Sequence, residues 1–582
     1  PAMIDRSPLP ILLAAVLLVA TVPAPAQEPP ERPSADFTEE LSVEVVSVEV
    51  YVTDRKGRPV TGLGRDDFRL TEDGKPVEIA YFSAFAAGGE AALVPAPGAG
   101  AAADADAAAR EPRNLLIYLD DANLGRAGRK RVLADLREVV ASGRDGADRL
   151  MVVVHDAGLR IVQPFTEDRQ AVLAALDALA DRATGGIFRT TERDGAFRAI
   201  QSIYQEYDGN RFCSSACDCG WREMEAAARQ YADVVIGHVG AAVGGLSQIA
   251  SALSGVTGRK FVLYVADGLE QRPGIELFHY IGDLCPRQEQ ELTRNYLAYD
   301  QASAFGRLTA HANANGVTFY TLEALGLQTD ASVAEMDTKF RVSTMTRRVA
   351  AANRQSPLYQ IANDTGGRAV LNANTFEGDL ERVAEDYGSY YSLGFTSRHR
   401  GDGRLHRIGV EIEGRGYEVR HRTYYRDKPL EARIAERVWG TLLLGTGDNP
   451  LGMELGAGPV RLLSRGCCTV PVEIRLPLDR LSLVPGSDSS LGRVYVILTA
   501  KDAAGATIPV KGREIPIRVE HGEAAAVASR TLVVDVDLAP GSYELAVGVV
   551  DLLGGGEAYL RQSLEVAPPL EESPPPTPVR KR

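Results

Sequence analysis

Histidine, cysteine, methionine and tryptophan are scarce in this chain, with 8, 6, 6 and 2 copies among 582 residues. The eight histidines are scattered and none falls in an H-E-x-x-H arrangement. A G-x-S-x-G elbow is missing, and "GRAGRK" lacks the spacing and final hydroxyl of a phosphate-binding loop. The usual zinc-protease, serine-hydrolase and nucleotide-hydrolase patterns are thereby set aside. A basic surplus is also lacking. The 64 Lys and Arg face 78 Asp and Glu, for a formal net charge of −14. This argues against sequence-independent nucleic-acid binding, which needs excess cation to neutralise phosphate. After the first residues no apolar run reaches the roughly 18 residues of a membrane span, so none is expected in the mature chain.

What is present begins with a leader pattern. Arg6, the run "LPILLAAVLLVATV" and "PAPAQ" supply the charged, apolar and small-residue regions of a signal peptide over 1–26. The protein is therefore expected to be exported, either periplasmic or extracellular. In an oxidising compartment Cys213, Cys217, Cys219, Cys285, Cys467 and Cys468 are disulfide candidates. Sequence alone does not choose among their 15 pairings. A zinc site built from the first four is the alternative, although C-x3-C-x-C is not a standard zinc spacing.

A length of 582 residues points to three or four domains. A linker at 27–38 precedes a small β unit at 39–88, where Val43, Val45, Val48, Val50 and Val52 alternate with polar residues apart from a phase break near Val46. Residues 89–111 form an Ala/Gly-rich linker. Over 112–388 strands and helices alternate, implying a doubly wound parallel sheet with a Cys-containing insertion at about 204–257. Strands at 389–428 are expected to pair with 39–88, each segment being too small to fold alone. A C-terminal β-sandwich at 429–568 and a disordered Pro-rich tail at 569–582 complete the chain.

Two apolar strands of the middle region end in acids: "LLIYLDD" at Asp120 and Asp121, and "FVLYVADG" at Asp267 and Gly268. Ligands of open parallel sheets bind beyond the strands' carboxyl ends. Unpaired carboxylates there would repel, and a hard divalent cation with an oxygen shell would relieve them. The phrases "VEVYVTDRKGRPVTGLGRDDFRLTEDGKPVEI", "IYLDDANL", "GRKFVLYVADGL", "ANGVTFYTLEALGL", "LYQIANDTGGRAVLNAN" and "SYYSLGFTS" carry a resemblance spanning about 40–425. In this order they resemble the VWFA-related domain proteins of the Acidobacteria type, which contain a von Willebrand factor A-like domain. The resemblance implies a multidomain chain with a doubly wound (VWA/Rossmann-like) parallel sheet flanked by β-sandwich domains. It also implies a metal-ion-dependent adhesion site of the form Asp-x-Ser-x-Ser, with a loop Thr and a later Asp. Here only Asp120 and Asp267 match. The hydroxyl positions fall on Ala122 and Leu124, and the loop Thr on Ile187.

The degenerate site leaves two readings. In one, Asp120 and Asp267, with Asp121 and Asn123 as further oxygen donors, hold Mg²⁺ or Ca²⁺ in a water-rich shell, with Thr190 or Thr191 reaching in. In the other, which is preferred, Asp120 and Asp121 cap the next helix or bond loop amides. His155, Thr190, Thr191 and Gly268 belong to the same expected binding rim. The chain is read as a non-enzyme that binds a protein partner or mediates adhesion through that rim. The alternative is an envelope metal-assisted hydrolase using Asp120, Asp267 and His155.

Overall fold

The computed structural model describes residues 45–567 except 86–91, 94–111, 181, 183–185, 209, 327–339, 341, 400, 414–415, 465–466, 509–511 and 521–527. The leader at 1–26, the linker at 27–38, the tail at 569–582 and most of 89–111 therefore lie outside the described residues. The first strands are β1 (Val45–Thr53), β2 (Phe68–Glu72), β3 (Lys75–Val77), β4 (Tyr81–Phe85) and β5 (Ala92–Leu93). Next come β6 (Arg113–Asp120), α1 (Arg126–Ala141), β7 (Arg149–His155), β8 (Leu159–Thr166), α2 (Arg169–Ala180), α3 (Gly186–Asp208) and α4 (Trp221–Leu253). They are followed by β9 (Arg259–Ala266), α5 (Ile275–Leu284), α6 (Glu289–Leu297), α7 (Ala302–Ala314), β10 (Val317–Glu323), α8 (Thr344–Asp364), β11 (Ala369–Val370) and α9 (Glu377–Gly388). Strands β12 (Tyr390–Thr396), β13 (Leu405–Ile412), β14 (Glu418–His421) and β15 (Tyr424–Arg426) precede α10 (Leu430–Leu444) and a last group of strands.

The chain thus has several sheets and mixed α/β content. Two antiparallel sheets, ordered β14-β1-β12-β4-β5 and β15-β13-β2-β3, interleave strands from either side of the α/β region. Val48 lies opposite Leu393, and Leu70 opposite Val410. In β1, residues 46, 48, 50 and 52 all point into the shared core with Phe68, Leu70, Phe82, Tyr391 and Phe395. The described strand keeps one phase, without the break expected near Val46. Tyr51, on the opposite face, is buried as well, because Arg259 of β9 bonds its hydroxyl at 2.8 Å. A two-residue Asp73-Gly74 turn joins β2 to β3, both residues having positive φ (49° and 76°), as a type I′ hairpin requires.

The third sheet is mixed and ordered β11-β10-β9-β6-β7-β8. All neighbours run parallel except the edge strand β8. Its central strands are apolar on both faces, which parallel sheets require. Leu116, Tyr118, Val262 and Tyr264 pack under α4, α5, α7 and α8. Leu115, Ile117, Leu119 and Leu263 pack under α1, α2 and α9. Helix α4 meets the length and hydropathy of a membrane span. Its apolar stripe, including Val235, Val239 and Leu246, lies in this core. From β6 the chain proceeds first to β7 and later crosses to β9 on the other side, so the carboxyl ends of β6 and β9 flank the point where the winding reverses.

The stretch 430–444 departs from the β character expected of it. It forms α10, whose Ile434, Val438 and Leu442 recur every fourth residue and pack on Ile497, Ala546 and Val550 of the C-terminal sheet. Beyond it, two antiparallel sheets enclose a core of Val470, Val472, Val496, Leu498 and Val547.

Candidate functional site

Asp120 and Asp267 stand at the carboxyl ends of adjacent strands and are joined through one residue. The Asn123 side chain donates to Asp120 Oδ2 at 2.7 Å, while its carbonyl accepts the Asp267 N–H at 2.9 Å. Asp120 is fully buried. The Tyr264 hydroxyl also donates to its Oδ2, at 2.5 Å, and His155 Nδ1 lies 3.5 Å from its Oδ1. Tyr118, in register opposite Tyr264, sits two residues before Asp120 on the same strand face. Burial pushes both phenols up, and the neighbouring Asp120 adds to this, so each stays protonated.

Asp121 turns the other way. Its Oδ2 accepts from Arg129 at 2.8 Å, both side chains being almost wholly inaccessible. Arg129 also donates to the Leu179 and Arg182 carbonyls. Asp121 is therefore not a ligand beside Asp120, because it forms a buried ion pair on the other face of the sheet. Asp120 precedes a single 3-10 turn at 121–123 without a side-chain capping bond to it, and the N-cap of α1 is Gly125. The carboxylate at this helix start is Asp267, whose Oδ2 accepts the Gly125 N–H at 2.7 Å. A Cβ on Gly125 would lie 2.8 Å from that oxygen, and one on Gly128 only 2.6 Å from the Ala324 carbonyl oxygen. Those two glycines let α1 reach the carboxylate, where a helix N-terminus favours negative charge. Asp267 Oδ1 is buried without a hydrogen-bond partner. Burial, first, raises the pKa to about 6, against lowering by Gly125 and Arg354.

The remaining rim residues divide. Thr190 and Thr191 are exposed in the first turns of α3. His155 is buried beneath α4, where a Cβ on Gly245 would come within 3.1 Å of its Nε2. Gly268 has φ +122°, and a Cβ there would meet the Arg354 Cβ at 2.8 Å. Neither is open to a ligand, which corrects their placement on an accessible rim. Three groups escaped the sequence reading. Arg189 of α3 donates to Asn123 Oδ1 and lies 3.5 Å from Glu270. Glu276, buried near Glu270, is raised to about 7 by burial first and by that neighbour second. Arg129 is the third. Its spacing to Val132, Leu133 and Leu136 on the buried face of α1 was the available signal.

Cysteines pair as Cys213–Cys219 and Cys217–Cys285, with Cα separations of 6.0 and 5.4 Å. Four of the six candidates thus form disulfides, and the zinc alternative loses its thiolates. Cys467 and Cys468 are free. Neighbours on an extended strand point to opposite faces, so they cannot meet each other. At the opposite end of the mixed sheet a cavity of about 530 Å³ is lined by cations, among them Arg259, Arg422 and Arg426, and by Glu49, Glu436 and Glu557. It shares none of the rim residues.

No family model and no curated protein matches the chain. Solved structures with some likeness include "an aerotolerance-related membrane protein from Bacteroides fragilis NCTC 9343 with multiple mutations to serines", at 10% identity and TM-score 0.21, covering 47% of this chain and 98% of that one. The "conserved hypothetical protein BatB from Bacteroides thetaiotaomicron" gives the same identity and TM-score, with coverages of 47% and 96%. "Proximal thread matrix protein 1 (PTMP1) from the mussel byssus" has 12% identity and TM-score 0.20, covering 48% and 49%. At these TM-scores the likenesses carry no weight for fold or activity.

Proposed function

We propose that this chain is an exported, von Willebrand factor A-like binding protein that engages a protein partner through the carboxyl rim of its mixed sheet, without a metal ion. The observation that carries this reading is the ionic matching of the rim. Arg129 neutralises Asp121, and Arg189 lies against Asn123 and Glu270. Protein cations thus take up Asp121 and Glu270 beside the rim, while Asp120 is held by the neutral donors Tyr264 and Asn123. The donor set does not fit a hydroxyl-rich cation shell. Leu124 is fully buried at one hydroxyl position, Ala122 holds the other, and Asp120 is committed to Tyr264 and Asn123. The strand order and the acids at its reversal point support the von Willebrand factor A-like reading. The two disulfides support export. A hydrolase reading has less support, since His155 is enclosed and Asp120 beside it is buried as well.

The test immobilises the full chain and passes envelope extract over it, with and without EDTA. The expected result is one retained protein in both conditions, lost when Thr190→Arg and Thr191→Arg are introduced together. Retention that requires Mg²⁺ or Ca²⁺, or turnover of an envelope polymer by the purified chain, would overturn the reading.

A further inference from the structure

We infer that Asp73, His399 and His406 form a binding site for one borderline transition-metal cation, Zn²⁺ foremost, which clips the β2–β3 turn to the start of β13 and the chain just before it. One ligand atom from each residue lies within 4.8 Å of the others. Asp73 Oδ2 is 2.9 Å from His406 Nδ1 and 3.9 Å from His399 Nε2. These spacings bracket the roughly 3.4 Å between ligands of a tetrahedral ion with bonds near 2.1 Å. Imidazole nitrogen with carboxylate oxygen suits Zn²⁺ better than Mg²⁺ or Ca²⁺, which prefer oxygen alone.

The surroundings orient each ligand. The Arg407 N–H holds Asp73 Oδ1 at 2.8 Å, and an ion would replace the 2.9 Å hydrogen bond between Asp73 Oδ2 and His406 Nδ1. His406 Nε2 faces Asp402 Oδ1 at 3.2 Å. With its proton there, Nδ1 keeps the lone pair a metal needs, an arrangement that also raises ligand basicity. The two imidazoles stack with centroids 3.6 Å apart and planes inclined by 15°. Glu72 Oε2 is 3.6 Å from His399 Nε2 and is a candidate fourth ligand. No described Lys or Arg side chain pairs with Glu72, Asp73 or Asp402, so no guanidinium or ammonium competes with an ion for these carboxylates. His406 is buried, whereas Asp73 is exposed and His399 partly so, giving an ion a way in and room for a water ligand.

The full chain, stripped with EDTA, is titrated with ZnCl₂ by calorimetry and scanned for thermal stability. One Zn²⁺ per chain and a raised Tm are expected. Co²⁺ in its place should give the visible absorption of a tetrahedral nitrogen–oxygen site. His399→Gln and His406→Gln should each weaken binding at least tenfold, while Asp267→Asn and the pair Cys467→Ser, Cys468→Ser leave it unchanged. If His406→Gln fails to fold, the more exposed His399→Gln decides alone. No heat and no Tm change overturn the inference. So does undiminished binding in His399→Gln, which would place the ion elsewhere.

Discussion

The carboxyl rim of the mixed sheet and the Asp73–His399–His406 cluster differ in how their charges are spent. At the rim, where open parallel sheets usually bind ligands, Asp120 is bonded by Tyr264 and Asn123, and Asp121 Oδ2 is paired with Arg129. At the cluster, three carboxylates and two imidazoles meet beside a hairpin turn with no guanidinium or ammonium among their described partners. Topology marks where a ligand pocket is easiest to build. The neighbours of each acid decide whether the pocket remains open to a ligand.

The sharpest way to break this contrast is to remove the internal cation from the rim. Arg129→Leu strands Asp121 without its partner, and breaking one side of a buried pair costs about 3–5 kcal/mol. Urea denaturation measures it, and a loss below ~1 kcal/mol would mean the rim is not held by that pair. Gly128→Ala should come next. Its Cβ would sit 2.6 Å from the Ala324 carbonyl oxygen, a backbone atom with little freedom to yield. Overpacking of this kind costs about 1–3 kcal/mol.

Asp267 offers a pH test. Its carboxyl titrates at about 6 in the fold, above its ordinary 3.8. A raised folded pKa means that the folded state holds the proton more tightly. The resulting stabilisation is full below the unfolded value and is lost as pH rises through about 6. Asp267→Asn should therefore flatten the stability profile between those limits by on the order of 3 kcal/mol relative to the parent. Denaturant midpoints across this window for both chains give the comparison, and parallel profiles would contradict it. Tyr264→Phe should be smallest, costing about 1–2 kcal/mol for the hydrogen bond lost by buried Asp120. Its second effect sharpens the contrast: thermal scans should still show no response to Mg²⁺ or Ca²⁺.

Legibility in the sequence followed the range of the interactions. Period-two alternation is local, so residues 48, 50 and 52 could be assigned to one face from the chain alone. Asp120 and Asp267 stood out because each ends an apolar run. Arg129 was hidden in "GRAGRKR", where four cations look alike until the helical face is traced to Val132 and Leu136. The α10 segment misled because its neighbours are strands, although Ile434, Val438 and Leu442 carry a helical period. The histidine cluster was beyond local reading altogether. It depends on β2 pairing with β13, with Glu72 opposite Ile408, and no spacing within either segment discloses that register.

The interleaving of β1 with β12 has a consequence for biogenesis. Ser47 and Ser392, bonded at 2.9 Å across the two strands, are 345 residues apart. At synthesis rates of about 5–20 residues per second, that gap corresponds to roughly 20–70 seconds. Through that interval the valine-rich ribbon at 45–53 has no native companion, and bare strand edges invite foreign pairing. Emerging chains of this protein thus call for a holding factor, or for delivery in an unfolded state, until the later strands arrive.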